Sequence, residues 1–221
     1  MSHVHVRRRA VLAPVLLCGV LVAGILAAPP PLRAQVLIHE VLADPASDWD
    51  GDGTVAAIGD EWVELINLGS EPVDLTNYWL LDGLGDDPHM RLSGVLAPGA
   101  VLVVYGSDAL RWQAETSNGV SGLSLNNTGD TVHLVVGPQT DQLVIIDTVS
   151  YLGHEAVDDR SSGRLLSNGA WVLFDGLNPY GGTTEPLGSG CPPTPGEPNL
   201  CQSDVPVNRT TWTELKTLFE G

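Results

Sequence analysis

Basic residues are scarce in this chain. Only 10 of its 221 residues are Lys or Arg, against 27 Asp and Glu, which gives a formal net charge of −17. Four of the arginines precede residue 35, so the remainder carries −21. A surface of this charge repels phosphate backbones and anionic lipid, and it favours cations and basic partners. Nucleic-acid binding is therefore disfavoured, although selection for solubility explains the acidity equally well.

Motifs of catalysis are also missing. The sequence has neither a Gly-x-Ser-x-Gly nor a His-Glu-x-x-His pattern. Asp60, Glu61 and Glu64 could support metal-dependent hydrolysis, but the stretch around them has no Lys or Arg to stabilise a developing negative charge. A hydrolase is thus the least favoured of the functions considered, and we expect no catalytic residues. The histidines after residue 34 are scattered, at His39, His89, His133 and His154.

The only long apolar run lies at the N-terminus. Arg7 to Arg9 precede an apolar stretch from Ala10 to Ala28, and a Pro-rich segment then ends at Ala34. This order is typical of a secretory signal, which predicts cleavage after Ala34 and a secreted, periplasmic or cell-surface protein without stable membrane insertion. An uncleaved N-terminal anchor and a twin-arginine export signal are the alternatives.

Cysteine is nearly absent from the rest of the chain. Beyond the predicted signal only Cys191 and Cys201 remain, ten residues apart in a Pro-rich stretch. Export to an oxidising compartment predicts a disulfide between them. A zinc site is disfavoured because no His lies nearby.

Sustained helical periodicity is lacking from Gln35 to Phe174, where short apolar runs alternate with turn signals. This pattern predicts an all-β fold, a β-sandwich with one core, over residues 35–175. The predicted strands are Val36 to Leu42, Trp62 to Asn67, Val73 to Leu81, His89 to Leu92, Val101 to Tyr105, Thr131 to Val136, Leu143 to Tyr151 and Trp171 to Phe174.

The C-terminal part divides into two segments. From Gly176 to Pro198, 12 of 23 residues are Gly or Pro, which predicts a covering loop or a linker over residues 176–204. A capping box at Thr211 to Glu214 and apolar residues at helical spacing then predict a short amphipathic helix over residues 205–221. That helix either packs on its own domain or docks onto a partner, and its docking residues would be Trp212, Leu215 and Phe219.

A dense acidic loop follows the first predicted strand. Asp48, Asp50 and Asp52 occupy alternate positions before Gly53, and seven acids fall within the 21 residues from Asp44 to Glu64. Such crowded carboxylates repel one another unless a cation neutralises them, which favours Ca²⁺. An EF-hand is disfavoured, because its twelfth position falls on Gly59 and no helical pattern flanks the loop. In a shorter calcium loop between two strands, Asp60 or Glu61 would complete the site. A solvated turn rich in Asp and Gly is the alternative.

Nine short stretches share their order and spacing with a known family: Ile38 to Asp44, Asp60 to Asn67, Val73 to Leu75, Trp79 to Asp82, Leu96 to Gly99, Leu125 to Asp130, Val132 to Leu134, Asp147 to Tyr151 and Pro193 to Asn199. Together they resemble the lamin tail domain family, and in particular its exported bacterial members. The resemblance implies an immunoglobulin-like β-sandwich that serves as an interaction module and has no catalytic residues. A nuclear role is not implied, since this chain has a predicted signal and an acidic surface.

Together these features predict a secreted or surface-exposed non-catalytic module, stabilised by Ca²⁺, that binds a protein or a glycan at the cell surface. The alternative is a structural or assembly subunit that docks through its C-terminal helix.

Overall fold

The computed structural model describes residues 35–83, 88–119, 122–138 and 142–201. The predicted signal, at residues 1–34, and the predicted helix at residues 205–221 lie outside them. The described residues form one helix, α1 (Gly106–Thr116), and eleven strands: β1 (Val36–Leu42), β2 (Trp62–Asn67), β3 (Val73–Asp74), β4 (Tyr78–Asp82), β5 (Pro88–Arg91), β6 (Val95–Leu96), β7 (Val101–Tyr105), β8 (Gly129–Val136), β9 (Val144–Leu152), β10 (Ser161–Arg164) and β11 (Trp171–Phe174).

The strands form two main antiparallel sheets. One sheet has the order β11-β10-β1-β2-β7 and the other has the order β5-β4-β8-β9, while β3 and β6 form a small separate ladder. Apolar side chains from both main sheets pack into one buried cluster. This is the sandwich arrangement that the short, alternating apolar runs predict.

A bulge in β1 decides which side chains face the core. The register between β1 and β2 shifts between Ile38 and Glu40, so Ile38 and Val41 both pack into the core cluster. Glu40 instead lies directly opposite Glu64 of β2. Because Val63 and Leu65 occupy the core side of β2, the strand alternation places this glutamate pair on the outer face of the five-stranded sheet.

That outer face is covered rather than solvated. Leu42, Trp62 and Ile66 lie outside the core cluster, yet each is at most 1 % exposed. Part of the cover is the Gly- and Pro-rich chain after β11, which runs back beside the sheet. Leu173 N–H donates to the Leu187 carbonyl at 3.0 Å, and Gly176 N–H donates to the Cys191 carbonyl at 2.8 Å. Thr194 and Gly196 then bond to Glu40 and Glu64 on the outer face, so residues 176–201 form a covering segment.

The sequence predicts no helix between Gln35 and Phe174. This prediction is wrong, because α1 forms there. The reason lies in its buried face, formed by Gly106, Ala109 and Gln113. These residues are small or polar, so they leave no apolar period in the sequence. Within the described part of the chain, no helix is long and apolar enough to cross a membrane.

Candidate functional site

The acidic loop between β1 and β2 brings three carboxylates together. Asp48, Asp50 and Asp60 each offer one oxygen, and the three oxygens lie within 4.8 Å of one another. Asp48 is exposed, Asp50 is partly exposed and Asp60 is fully buried. We call these three residues the aspartate triad. The triad therefore joins solvent-accessible carboxylates to one that is fixed inside the fold.

Asp60 organises the loop through its own side chain. Its Oδ1 accepts hydrogen bonds from the backbone N–H groups of Trp49, at 2.7 Å, and Asp50, at 3.0 Å. Its Oδ2 accepts from Ala56 N–H at 2.7 Å. Charge-assisted bonds of this kind hold a buried carboxylate in place. The loop is thus wrapped around Asp60, which turns both oxygens toward the backbone that carries the other acids.

The remainder of the loop is a series of tight turns. Asp48 Oδ2 accepts from Gly53 N–H at 2.9 Å, and Asp50 Oδ1 accepts from Asp52 N–H at 3.0 Å. Gly51 and Gly53 have φ values of 73° and 92°, which other residues adopt only with strain. The Ser107 hydroxyl, followed by Asp52 N–H, lowers the pKa of Asp50. Asp50 therefore stays ionised, as a metal ligand must.

Two predicted ligands fall outside the aspartate triad. Asp52 lies at the tip of the loop, where its Oδ1 accepts from Thr54 N–H at 2.7 Å. The Glu61 carboxylate lies outside the aspartate triad, and its Oε2 accepts from Leu125 N–H at 3.3 Å. Burial raises the pKa of Glu61 to about 8. The prediction that Asp60 or Glu61 completes the cluster is thereby narrowed to Asp60.

Asp159 is a loop-fixing residue that sequence reasoning missed. Its Oδ1 accepts from Ala46 N–H at 2.8 Å and from Trp49 Nε1 at 2.8 Å, and its Oδ2 accepts from the Ser47 hydroxyl. Burial opposes ionisation of Asp159, but these hydrogen bonds outweigh it and lower the pKa. Since Asp159 lies 110 to 113 residues after the loop residues that it contacts, no local pattern indicates these hydrogen bonds.

A second acidic feature lies on the outer face of the five-stranded sheet, beneath the covering segment. Glu40 Oε2 accepts from the Thr194 hydroxyl at 2.9 Å, and Glu64 Oε2 accepts from Gly196 N–H at 2.6 Å. The Ser161 hydroxyl also donates to Glu40. Burial raises the pKa of Glu40 to about 7 and that of Glu64 to about 8. We call Glu40 and Glu64 the buried glutamate pair.

His39 has a structural place beside this pair. Its Nε2 accepts from Asn199 N–H at 3.1 Å, and its carbonyl accepts from Asn199 Nδ2 at 3.1 Å. Burial, with a smaller effect of Arg164, lowers the pKa of His39 to about 4. The imidazole is therefore neutral near pH 7, and it anchors the end of the covering segment.

With this geometry in place, comparison with known proteins decides the family. The sequence profile described as Lamin Tail Domain matches residues 29–153, more than half of the chain. The chain belongs to the lamin tail domain family. No curated protein matches it. The family and the immunoglobulin-like sandwich are thus as the sequence predicted.

The immunoglobulin-like fold of lamin tail domains is typically non-enzymatic. Family membership therefore indicates a non-catalytic interaction module. The matched residues include the acidic loop and end just after β9, so β10, β11 and the covering segment follow the match.

In this lamin tail domain the covering segment ends in a disulfide. Cys191 and Cys201 are bonded, with their Cα atoms 5.9 Å apart. The bridge closes the short loop that contacts the buried glutamate pair and His39. The predicted docking residues, Trp212, Leu215 and Phe219, lie outside the described residues.

Proposed function

We propose that this lamin tail domain is an exported, non-catalytic interaction module whose acidic loop binds Ca²⁺ and is stabilised by it. The observation that carries the calcium assignment is the aspartate triad, in which three carboxylate oxygens lie within 4.8 Å of one another. Carboxylates this close repel one another unless a cation or a proton intervenes. Hydrogen bonds lower the pKa of Asp50, so this carboxylate is available to a cation.

The donor set suits calcium in its chemistry. All three side chains supply hard oxygen ligands, and the oxygen spacing is compatible with Ca–O distances of about 2.3–2.6 Å. Asp60 is held by backbone donors, while the exposed Asp48 leaves part of the site open to water. Calcium accepts six to eight oxygens, water included, whereas Mg²⁺ demands a more regular shell.

Export is supported by two independent features. The N-terminal sequence has the order of a secretory signal. The Cys191–Cys201 disulfide belongs to the oxidising environment outside the cytosol. An exported interaction module would meet its partner, a protein or a glycan, at the cell surface.

The calcium assignment predicts a shift in thermal stability. At a Ca²⁺ concentration one hundred times Kd, a ligand bound only by the folded state adds about 2.7 kcal/mol. We expect a melting temperature several degrees higher in Ca²⁺ than in chelator. Asp50→Asn should abolish that shift, whereas Asp52→Asn, which removes an equal charge outside the aspartate triad, should retain it. Equal melting temperatures of the unmodified protein in Ca²⁺ and in chelator would refute the assignment.

The interaction role is tested separately by surface retention. We expect fluorescently labelled residues 35–221 to bind saturably to cells that express the protein, and an unlabelled excess to compete. Truncation at residue 204 should leave this retention intact, whereas an assembly subunit that docks through its C-terminal helix would lose it. Absence of saturable retention would contradict the proposal.

A further inference from the structure

A cleft between α1 and β5 has the size of a small-ligand site. Its volume is about 430 Å³, within the range of about 300–1,000 Å³ common for such sites. We call it the α1–β5 cleft. Its polar and aromatic lining includes Thr76, Arg91, Asp108, Arg111, Trp112 and Glu115.

Helix α1 supplies one wall of the cleft. Asp108, Arg111, Trp112 and Glu115 are spaced three, four and seven residues apart, so they share one face of the helix. The Trp112 ring is only partly exposed, and it meets Trp79 edge to face at 6.3 Å. The wall is therefore a fixed aromatic surface flanked by charged groups.

Arg91 of β5 also lines the cleft, and its side chain is held in a preorganised position. Its guanidinium stacks over the Trp79 ring at 5.0 Å, and its Nε donates to the Thr76 carbonyl at 2.9 Å. Trp79 is itself fixed, because its Nε1 donates to the Gly137 carbonyl at 2.9 Å. Among the described residues, neither terminal nitrogen of Arg91 has a hydrogen-bond partner. Two oriented donors thus remain for a ligand.

The charges of the cleft balance, although the chain is strongly acidic. Arg160 and Arg164, the other arginines of the described residues, bind carbonyl groups and Asp147. In the cleft, Arg111 pairs with Asp108, and Glu115 offsets Arg91. Since the chain carries −17 overall, a polyanion is not the favoured ligand. A neutral molecule with donors, acceptors and an apolar face fits better.

A peptide strand is disfavoured as the occupant. Strand β5 is the edge of its sheet, and such an edge can accept an added strand. Here, however, α1 and the residues after it cover the edge. Gln113 Nε2 donates to the His89 carbonyl at 2.9 Å, and Asn118 Nδ2 donates to the Pro88 carbonyl at 3.2 Å. These bonds occupy carbonyls that strand addition would require.

We propose that the α1–β5 cleft binds a sugar ring of a neutral glycan. The C–H face of the ring packs on Trp112, the free Arg91 nitrogens donate to hydroxyl oxygens, and the Glu115 carboxylate accepts from hydroxyl groups. Glu115 is exposed and makes no hydrogen bond within the described residues. This inference rests on the proposed interaction role. It adds the class of ligand, a neutral glycan, and the surface that binds it, the α1–β5 cleft.

Calorimetric titration of the intact exported chain tests the site. The probes are soluble β-1,3-glucan, mannan and chitin oligosaccharides, with polygalacturonate as the anionic comparison. We expect one of the neutral probes to bind and Trp112→Ala and Glu115→Gln to weaken that binding by about tenfold or more, the loss expected for one good contact. Leu110→Ala on the exposed side of α1 and Glu71→Gln outside the cleft serve as matched controls and should change affinity less than twofold.

Every outcome of this titration decides the proposal. Binding of polygalacturonate alone, or of no probe, would overturn the neutral-glycan assignment. Neutral-probe binding that Glu115→Gln leaves unchanged would overturn the location in the cleft. Because Glu115 is exposed, an unchanged melting temperature of Glu115→Gln separates lost binding from lost folding. If the protein is retained saturably at the cell surface but either of these results is found, the proposed interaction role stands. Only the assignment of a neutral glycan to the α1–β5 cleft is then wrong.

Discussion

Gly106 lies where the first turn of α1 meets the end of the acidic loop. Its N–H donates to the Glu61 carbonyl at 2.7 Å, and the neighbouring Ser107 N–H donates to the Gly59 carbonyl at 2.9 Å. A Cβ atom on Gly106 would lie 1.7 Å from the Ile58 carbonyl oxygen. No side-chain rotation relieves that overlap, because the obstacle is backbone. The helix therefore sits against the loop only with glycine at this position.

Replacing this glycine should destabilise both elements together. We expect Gly106→Ala to lower the free energy of unfolding by about 3 kcal/mol, toward the upper end of overpacking costs. Urea denaturation measures the loss. Gly181→Ala is the matched control, since nothing lies within 4 Å of a Cβ there. Equal stability of the two variants would show that α1 can move away from the loop without cost.

At the residue scale, the sequence predicts that an acidic cluster exists, but it does not predict the geometry of that cluster. The alternation of Asp48, Asp50 and Asp52 indicates crowded carboxylates but does not reveal which oxygens converge. That depends on the backbone, which turns around the buried Asp60 and leaves Asp52 at the tip. Glu61 follows Asp60 directly, yet its carboxylate lies outside the aspartate triad and accepts from Leu125 N–H.

At the scale of elements, apolar patterning determines what could be predicted. The bounds of β1, β2, β7 and β11 agree with the sequence, since each is a short apolar run between turn signals. The predicted strand from Val73 to Leu81 divides into β3 and β4. Strand β6 has only two residues, too few to show a period, and β10 reads Ser-Ser-Gly-Arg, which contains no apolar residue. Their strand character comes from pairing with distant partners.

The covering segment is the element whose attachment depends most on its disulfide. Cys191 and Cys201 enclose Thr194, Gly196 and Asn199, which bond to the buried glutamate pair and His39. Closing a loop of this length restricts the unfolded chain by about 2–3 kcal/mol in the chain-entropy description. The bridge therefore favours the state in which this loop lies on the sheet.

Removing the disulfide should loosen this segment before the rest of the sandwich. For the double variant Cys191→Ser and Cys201→Ser, we expect faster amide hydrogen exchange at Thr194 and Gly196. Amides in the β8–β9 ladder serve as the internal control, and their exchange should change much less. Unaltered exchange at residues 194–199 would show that the hydrogen bonds hold the segment without the bridge.

At the scale of the whole molecule, the sandwich is covered on a face that carries buried acids. On this face burial raises the pKa of Glu40 to about 7 and that of Glu64 to about 8. Burial also raises the pKa of Glu61, at the end of the acidic loop, to about 8. His39 acts in the opposite direction, since burial lowers its pKa to about 4. The charges of Glu40 and of Glu197 in the covering segment also raise the pKa of Glu64, whereas Arg164 acts on His39.

These shifts predict that the folded protein loses stability as the pH rises through neutrality. A glutamate whose pKa is higher in the folded than in the unfolded state stabilises the fold below about pH 4.5, and this contribution disappears as the pH approaches 8. His39 stabilises the fold above about pH 6.5 and loses that contribution toward pH 4. Three glutamates outweigh one histidine, so we expect a higher melting temperature at pH 5.5 than at pH 8, measured in chelator to exclude metal binding.

One substitution separates the effect of the buried glutamate pair on the melting temperature from the effect of the general acidity of the chain. Glu64→Gln keeps the shape of the protonated side chain and cannot ionise, so the fall in melting temperature from pH 5.5 to pH 8 should become smaller. Glu71→Gln removes a carboxylate from an exposed site and should leave the fall unchanged, because Glu71 lies outside the buried glutamate pair. Identical pH profiles for both variants would show that the fall in melting temperature comes from repulsion among all the acidic groups of the chain. A melting temperature that rises toward pH 8 in the unmodified protein would contradict the prediction.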